Sequence, residues 1–246
     1  MIQIKVDGKT IREFSNLILT LVQEARVDFK PDGISAKVMD PARVAMISID
    51  IKREAFQEFD VNGEDSLGLD IEKMRNFLRL TDASEIIDLK YDGKKISMKT
   101  GNLSAGIPII DPSALTTPKI PTIEPQDKIV TDLIQIIKGI KAAEGISEVV
   151  TFSVKSDELK IYAKGETDSE TIEMTIPKSL AKEFIFTSDS KSSFALEYLT
   201  KFLRALESTE EVSIALGNDY PLRMEAPIVN GKGKVTFLIA PRIENI

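Results

Sequence analysis

The sequence predicts an α+β protein made of two similar domains, each with antiparallel sheets and two helices. The first observation behind this is an internal echo, because Phe77-Leu78-Arg79 recurs as Phe202-Leu203-Arg204, 125 positions later. The second is a coarse order shared by the two halves: a strand, a helix, several strands, a second helix and more strands. The 246 residues suit one large domain or two small ones.

The echo extends in both directions. Leu69–Met74 aligns with Phe194–Leu199, and Glu85–Leu89 aligns with Glu211–Leu216 to within one residue. Four prolines between Asp111 and Asp127 indicate an extended join, since proline interrupts helices. These signals predict an N-terminal domain at 1–111, a linker at 112–126 and a C-terminal domain at 127–246. The alternative is a chance match of a common amphipathic pattern.

Apolar spacing and turn residues predict the individual elements. Helical spacing covers 9–24, 70–80, 129–140 and 195–207, with Thr131 or Asp132 as a candidate N-cap of the third helix. Alternating runs predict strands at Val44–Ile51, Val149–Val154, Lys160–Ala163, Thr171–Ile176 and Lys234–Ile239. Turns are expected at Asp32-Gly33, Asp92-Gly93 and Asn230-Gly231.

Composition excludes several classes of function. The chain has no Cys and no His, which removes thiol nucleophiles, disulfides, Cys/His zinc sites and histidine-based catalytic triads. A formal charge of -7 argues against a generally basic nucleic-acid binder, although a local basic patch stays open. No apolar run approaches the roughly 18 residues of a membrane helix, so no membrane association is expected.

The predicted helices carry an unusual charge layout. Their net charges are 0, +1, 0 and 0 in chain order, so the rest of the chain carries -8. Acids gather in the first and last turns, while the middles are basic apart from Glu13. Like charges three or four positions apart share a helix face and repel each other, which a polyanionic partner would compensate. The alternative is an ordinary solvated helix face.

Two lysine-containing glycine segments do not form phosphate loops. Gly8-Lys9-Thr10 lacks the upstream glycine of the P-loop pattern, and Gly231-Lys232-Gly233-Lys234 precedes a strand rather than a helix. Carboxylates are plentiful, so a carboxylate- or metal-dependent hydrolase is kept as an alternative. No ligand spacing such as Asp-x-Asp supports it, and we therefore expect no catalytic residues, no metal and no cofactor.

Four segments resemble archaeal and eukaryotic sliding clamps of the proliferating cell nuclear antigen (PCNA) family. Met39-Asp40, followed by Val44, is similar to the family's "MD-x-x-x-V" segment, and the ending Phe237–Ile243 is similar to its "YYLAPKI". The other two segments are Phe194–Leu199 and Pro221-Leu222. The resemblance covers nearly the whole chain. It implies a non-enzymatic processivity factor for DNA polymerase, with the DNA clamp fold and a ring of three subunits.

The resemblance also implies partners and a surface for duplex DNA, which the ring encircles without reading its sequence. The implied DNA-facing residues are Arg12, Lys73, Arg75, Arg79, Lys138, Lys141, Lys201 and Arg204. The implied protein partners are DNA polymerase, the clamp loader, flap endonuclease, DNA ligase and other proteins that carry a PIP box. This short peptide has a glutamine and three hydrophobic or aromatic anchors.

For the partner peptide the resemblance implies an apolar groove, which would take one helical turn with aromatic anchors. Its implied residues are Met39, Arg43, Val44, Leu115, Ile120, Ile123, Pro221, Leu238, Ile239, Ala240 and Pro241. The subunit contact would pair the edge strand 102–109 with the edge strand 171–176 of the next subunit. Its implied apolar residues are Leu103, Ile107, Ile109, Ile172, Met174 and Ile176.

Two expectations concern assembly and location. We expect a homotrimer, and the alternative is one subunit of a heterotrimeric or checkpoint-type clamp with the same fold. The start of the chain, Met1–Asp7, lacks the layout of a signal peptide. We therefore expect a protein of the cytoplasm, associated with the nucleoid, if the source is archaeal, or of the nucleus if it is eukaryotic.

Overall fold

The computed structural model describes residues 2–119, 127–165, 167, 170–206, 208–218 and 220–242. The chain divides into two units: unit 1 contains Met1–Ile120 and Ile228–Val235, and unit 2 contains Pro121–Pro227 and Thr236–Ile246. The sequence places all of 127–246 in the second domain, whereas Ile228–Val235 packs with unit 1.

Unit 1 has two antiparallel sheets and two helices. Its elements are β1 (Ile2–Asp7), α1 (Gly8–Leu19), β2 (Glu24–Lys30), β3 (Gly33–Met39), β4 (Ala45–Lys52), β5 (Glu58–Val61), β6 (Asp65–Asp70), α2 (Ile71–Leu78), β7 (Ile86–Tyr91), β8 (Lys95–Thr100) and β9 (Leu103–Pro108). One sheet has the order β5-β1-β7-β8-β9, and the other has the order β4-β3-β2-β6.

Unit 2 repeats this plan. Its elements are β10 (Asp127–Asp132), α3 (Leu133–Glu144), β11 (Val149–Lys155), β12 (Glu158–Lys164), β13 (Thr171–Pro177), β14 (Glu183–Ile185), β15 (Ser190–Ala195), α4 (Leu196–Ala205), β16 (Glu211–Leu216), β17 (Leu222–Ile228) and the later part of β18 (Gly233–Ile239). The sheet orders are β14-β10-β16-β17-β18 and β13-β12-β11-β15. The predicted α+β class is confirmed.

The internal repeat holds at the level of single hydrogen bonds. The N–H of Gly8 donates to the carbonyl of Glu85, and 125 positions later Leu133 donates to Glu210, both at 2.8 Å. Ile71 donates to Gln23 at 2.9 Å, and its counterpart Leu196 donates to Glu148 at 2.9 Å. These bonds satisfy a helix N-terminal donor that would otherwise lack a partner. The two halves therefore share one backbone design.

The third helix differs from its prediction. Ile129 and Thr131 lie in β10 and are buried alternately with half-buried neighbours, and α3 begins at Leu133. Asp132 stands at the N-cap position but makes no capping hydrogen bond with its side chain. The carbonyl of Glu210 takes that role instead. The apolar spacing of 129–140 spans the end of a strand and the start of a helix. Over a few residues, a period of two and a period of 3.6 give similar apolar positions, so the spacing predicts one continuous helix.

Each unit buries an apolar core between its helices and sheets. In unit 1, α1 contributes Phe14, Leu17 and Ile18, each at most 1% exposed. In unit 2, the Phe202 ring of α4 stacks on Phe237 with 4.4 Å between ring centroids. No helix in the described ranges is long and apolar enough to cross a membrane.

A buried carboxylate ties residues 228–235 to unit 1. Glu13 of α1 is 1% exposed, and its Oε2 accepts the N–H of Val229 at 3.1 Å. Val229 has a φ of 53°, a left-handed conformation that β-branched residues rarely adopt. The N–H of Lys52 also donates to the carbonyl of Lys232 at 2.9 Å. These two bonds explain why the turn belongs to unit 1.

Replacing Glu13 with Ala should lower the free energy of unfolding by about 1–3 kcal/mol, because the buried N–H of Val229 loses its acceptor. Glu13→Gln keeps a carbonyl acceptor and should lose less. Lys9→Ala, on the exposed side of α1, serves as the control and should stay within about 0.5 kcal/mol of the parent. Urea unfolding at one fixed protein concentration measures all three. Equal losses of unfolding free energy in Glu13→Ala and Glu13→Gln would contradict the role of the Glu13 side chain as the acceptor for the N–H of Val229.

Candidate functional site

The helices of each unit pack side by side and leave one face of each helix exposed. In unit 1, α1 packs against α2, and in unit 2, α3 packs against α4. On α3 the exposed positions Ile134, Lys138 and Lys141 follow a spacing of four and three. On α4 the positions Glu197, Lys201 and Arg204 follow the same spacing. Each set therefore forms a single stripe along its helix.

Four of the eight predicted DNA-facing residues form ion pairs with nearby carboxylates. Lys73 lies 2.8 Å from Asp70 and Arg75 lies 3.6 Å from Glu72, both on α2 or at its start. Lys201 lies 3.3 Å from Glu197, and Arg204 lies 3.1 Å from Glu144. Ion pairs at the protein surface contribute about 0–1 kcal/mol each, so a phosphate can displace the carboxylate at little cost.

The pair at the start of α2 also caps that helix. Asp70 Oδ1 accepts the backbone N–H of Lys73 at 2.9 Å. Partial burial would raise the pKa of Asp70, but the hydrogen bonds from the Lys73 ammonium and backbone outweigh it and lower that pKa. The same contact raises the pKa of Lys73. Both groups are therefore charged at neutral pH.

Three predicted DNA-facing cations have no carboxylate partner in the part of the chain that the structure describes. They are Arg79, at the C-terminal end of α2, and Lys138 and Lys141, in the middle and last turn of α3. All three are exposed. A cation without an intramolecular partner is ready to bind an external anion, so these three are the strongest candidates for phosphate contacts.

Arg12 has a different environment from the other seven. Its Nη2 donates to the carbonyl of Leu78 at 2.7 Å, to the carbonyl of Thr81, and to Thr81 Oγ1 at 3.0 Å. These acceptors lie at the C-terminal end of α2, where carbonyls lack partners within the helix and the helix dipole favours a cation. Arg12 thus joins α1 to the end of α2. The family resemblance alone places it among the DNA-facing cations.

Three predicted peptide-pocket residues of unit 1, Met39, Arg43 and Val44, lie on or next to a loop built around one carboxylate. Asp40 is 6% exposed, and its two oxygens accept the N–H groups of Ala42 at 3.0 Å, Val44 at 2.8 Å and Ala45 at 2.6 Å. The loop holds Arg43 exposed at a φ of 59° and leaves Met39 and Val44 half-buried. Asp40 is thus a positioning residue that the site prediction missed, although an Asp before Pro41 is a known turn signal.

The other predicted pocket residues have mixed exposure. Leu115 of unit 1 is half-buried, as are Pro221, Ala240 and Pro241 of unit 2. Leu238 and Ile239 are 5% and 0% exposed, so their side chains serve the core of unit 2. Ile120 and Ile123 lie outside the described residues.

The predicted subunit-contact strands are edge strands in their own units. β9 ends one sheet of unit 1 and β13 ends one sheet of unit 2. Leu103 is 37% exposed, and Ile109, Ile172 and Met174 are half-buried. Ile107 and Ile176 are 4% and 1% exposed in the single chain, so their side chains belong to the unit cores. The strand assignment stays a prediction, and it rests on the unpaired backbone of the two edges.

Repeated α+β domains with exposed cations on paired helices define a protein of the DNA-clamp class. Residues 1–100 match the family "Proliferating cell nuclear antigen, N-terminal domain", and residues 119–242 match "Proliferating cell nuclear antigen, C-terminal domain". The chain belongs to the proliferating cell nuclear antigen family of DNA polymerase sliding clamps. This family consists of non-catalytic processivity factors.

Relatives and solved structures support the same assignment. The DNA polymerase sliding clamp of Thermoplasma acidophilum is 36% identical over 99% of this chain and 100% of that protein. The structure of Archaeoglobus fulgidus PCNA bound to the C-terminal region of FEN-1 has a TM-score of 0.95 and 31% identity, and covers 100% of both chains. The PCNA2–PCNA3 complex of Sulfolobus tokodaii has a TM-score of 0.85 and 25% identity, over 98% of this chain and 99% of that one.

We expect Arg12→Gln to lower the free energy of unfolding by about 1.5–3 kcal/mol, because charged hydrogen bonds at the end of α2 are lost. The matched control is Arg79→Gln, which removes an exposed cation and should stay within about 0.5 kcal/mol of the parent. Urea unfolding followed by circular dichroism compares the two. Similar losses in both variants would show that Arg12 has no special role in holding α2.

Proposed function

We propose that this chain encircles duplex DNA as a subunit of a closed ring and tethers replication and repair proteins to it. The observation that carries the proposal is the exposed set Arg79, Lys138 and Lys141, which have no carboxylate partner among the described residues of an acidic protein. Phosphate contacts of this kind attract any duplex and carry no sequence information. Weak, exchangeable contacts allow sliding, and closure of a ring prevents escape.

The proposed partners bind through short peptides with a glutamine and three hydrophobic or aromatic anchors. The structure of A. fulgidus PCNA with the C-terminal region of FEN-1 supports this mode, because that relative covers the full chain. The half-buried residues Met39, Val44 and Leu115 of unit 1 are the proposed pocket walls on this chain. We further propose that DNA polymerase, a clamp loader, flap endonuclease and DNA ligase bind in this way, and that the chain has no catalytic activity of its own.

The proposed assembly is a homotrimer closed by β9 of one subunit and β13 of the next. Two edge strands with unpaired backbone groups gain hydrogen bonds when they pair, and a closed ring leaves neither of them open. A second candidate is one subunit of a heteromeric ring, which the similarity to a PCNA2–PCNA3 complex supports. Since the curated relatives are archaeal, the proposed location is the cytoplasm, at the nucleoid.

Light scattering of the purified chain across a dilution series should give about three times the monomer mass of 27.2 kDa. The physical reason is that the two proposed edges are different and complementary to each other, so identical subunits can join head to tail into a closed ring. A mass that stays at the monomer value at every concentration would contradict the homotrimer and favour the heteromeric candidate.

The double variant Lys138→Gln with Lys141→Gln should reduce the salt dependence of duplex binding. Each lost phosphate contact lowers the slope of log affinity against log salt by about one, so a decrease of about two is expected for each subunit whose α3 contacts the duplex. Fluorescence anisotropy of a short labelled duplex, titrated at several low salt concentrations, gives the slope. The control is Lys37→Gln with Lys52→Gln, two exposed lysines on the sheet of unit 1, which should leave the slope unchanged. The same decrease in both double variants would contradict a helix-specific DNA surface.

A further inference from the structure

The segment that follows β9 is hydrogen-bonded to other strands and loops of unit 1. We call Ile109–Leu115 the connector strap. The N–H of Ile109 donates to the carbonyl of Lys94 at 3.3 Å, and the N–H of Ile110 donates to the carbonyl of Gly68 at 2.8 Å. Gly68 and Ile110 form an isolated antiparallel bridge. The strap therefore covers part of the edge of β6, the last strand of its sheet.

The strap has local structure of its own beyond this bridge. Asp111 Oδ1 accepts the N–H of Ser113 at 2.9 Å and its hydroxyl at 2.7 Å, which caps a single 3-10 turn over Pro112–Ala114. These hydrogen bonds from Ser113 lower the pKa of Asp111, so the cap is ionised at neutral pH. The next residue is Leu115, which is half-buried. The bridge and the cap together fix the path from β9 to Leu115.

Gly68 is a glycine because of space and not because of backbone conformation. It is not among the glycines with a positive φ, so another residue could adopt its backbone angles. A Cβ at this position would lie 2.4 Å from the carbonyl oxygen of Ile110, 2.9 Å from its carbonyl carbon and 3.0 Å from its Cβ. Two of these atoms are backbone, which cannot move aside as a flexible side chain would. Any side chain at 68 must lift the strap from β6.

We propose that Gly68 is a positioning residue for partner-peptide binding, because it seats the connector strap and thereby presents Leu115 to the peptide. The proposal rests on the proposed function, in which Leu115 is a wall of the peptide pocket. A seated strap is preorganised, so the peptide does not have to order it on binding. When the strap is lifted from β6, the peptide has to order it on binding, and this cost lowers the affinity for the peptide.

Two variants lift the strap from opposite sides. Gly68→Ala inserts the clashing Cβ on β6, while Ile110→Pro leaves β6 intact and removes the N–H that binds Gly68. The matched control is Gly145→Ala, whose Cβ would have Ala142 O as its nearest neighbour at 3.8 Å and whose φ of -76° suits alanine. Ile110→Pro keeps the test decisive should Gly68→Ala fail to fold.

The experiment combines peptide titration with hydrogen exchange on the assembled protein. The probe is a synthetic peptide with a glutamine and three hydrophobic or aromatic anchors, titrated by calorimetry. Exchange is followed at the amides of Ile110 and Ala114, which report the bridge and the 3-10 turn. Val44→Asp, which places a charge on the exposed loop of the proposed pocket, serves as the positive control for lost binding.

We expect Gly68→Ala and Ile110→Pro to bind the peptide about tenfold more weakly or worse, and Gly145→Ala to bind as the parent does. In Gly68→Ala the amide of Ile110 should exchange faster. Saturating peptide should then restore its protection by at least the factor by which the affinity was lost, since coupling between the two events is reciprocal. A purely structural defect would not produce this recovery.

The outcomes separate the inference from the function on which it rests. Parental affinity in a variant whose strap exchanges freely would overturn the role of Gly68 and leave the peptide pocket standing. A strap that stays protected in Gly68→Ala would overturn it as well. If the parent protein fails to bind the probe while Ile110 is protected, the proposed peptide function fails and the positioning role fails with it.

Discussion

The fold depends on four backbone hydrogen bonds that join the first residue of each helix to a loop next to a strand. Glu85 and Glu210 hold α1 and α3, while Gln23 and Glu148 hold α2 and α4. Because a helix start that is fixed in direction also fixes which side faces the sheet, these bonds determine which residues are buried and which are exposed. The exposed stripe with Lys138 and Lys141 on α3 follows from the direction in which the hydrogen bond to Glu210 fixes that helix.

Sequence reasoning succeeded where a signal was repeated or clearly alternating, and it failed where two periods overlapped or where a partner was distant along the chain. The echo at Phe77 and Phe202 predicted both copies of the second helix, since each copy supports the other. The strand β10 is predicted as helix because Ile129 and Leu133, four positions apart, fit either period. Glu13 and Arg12 could not be placed from the sequence, since their partners, Val229 and Thr81, are distant along the chain. Their roles come from tertiary contacts that a local pattern does not contain.

Charge on the helices is organised for exchange and not for stability. Pairs such as Arg204 with Glu144 are exposed, so they hold the side chains in place at low energy and release them easily. A clamp that gripped phosphates tightly would stop moving, whereas one without cations would lose the attraction that keeps DNA centred. Arg12 is the exception, because its guanidinium satisfies carbonyls at the end of α2. The same residue type therefore has an exposed ion pair in one place and an architectural role in another.

Recognition of partner peptides follows a similar division between backbone and side chains. Asp40 fixes its loop by accepting three backbone N–H groups, and Gly68 fixes the connector strap by leaving room for the Ile110 carbonyl. Neither residue has to contact a peptide in order to fix the positions of Val44 and Leu115. Exposed neighbours such as Arg43 on the loop can therefore be substituted to change the choice of peptide without disturbing the frame. On this argument, substitutions at Asp40 and Gly68 affect every peptide partner alike, while substitutions at Arg43 distinguish among them.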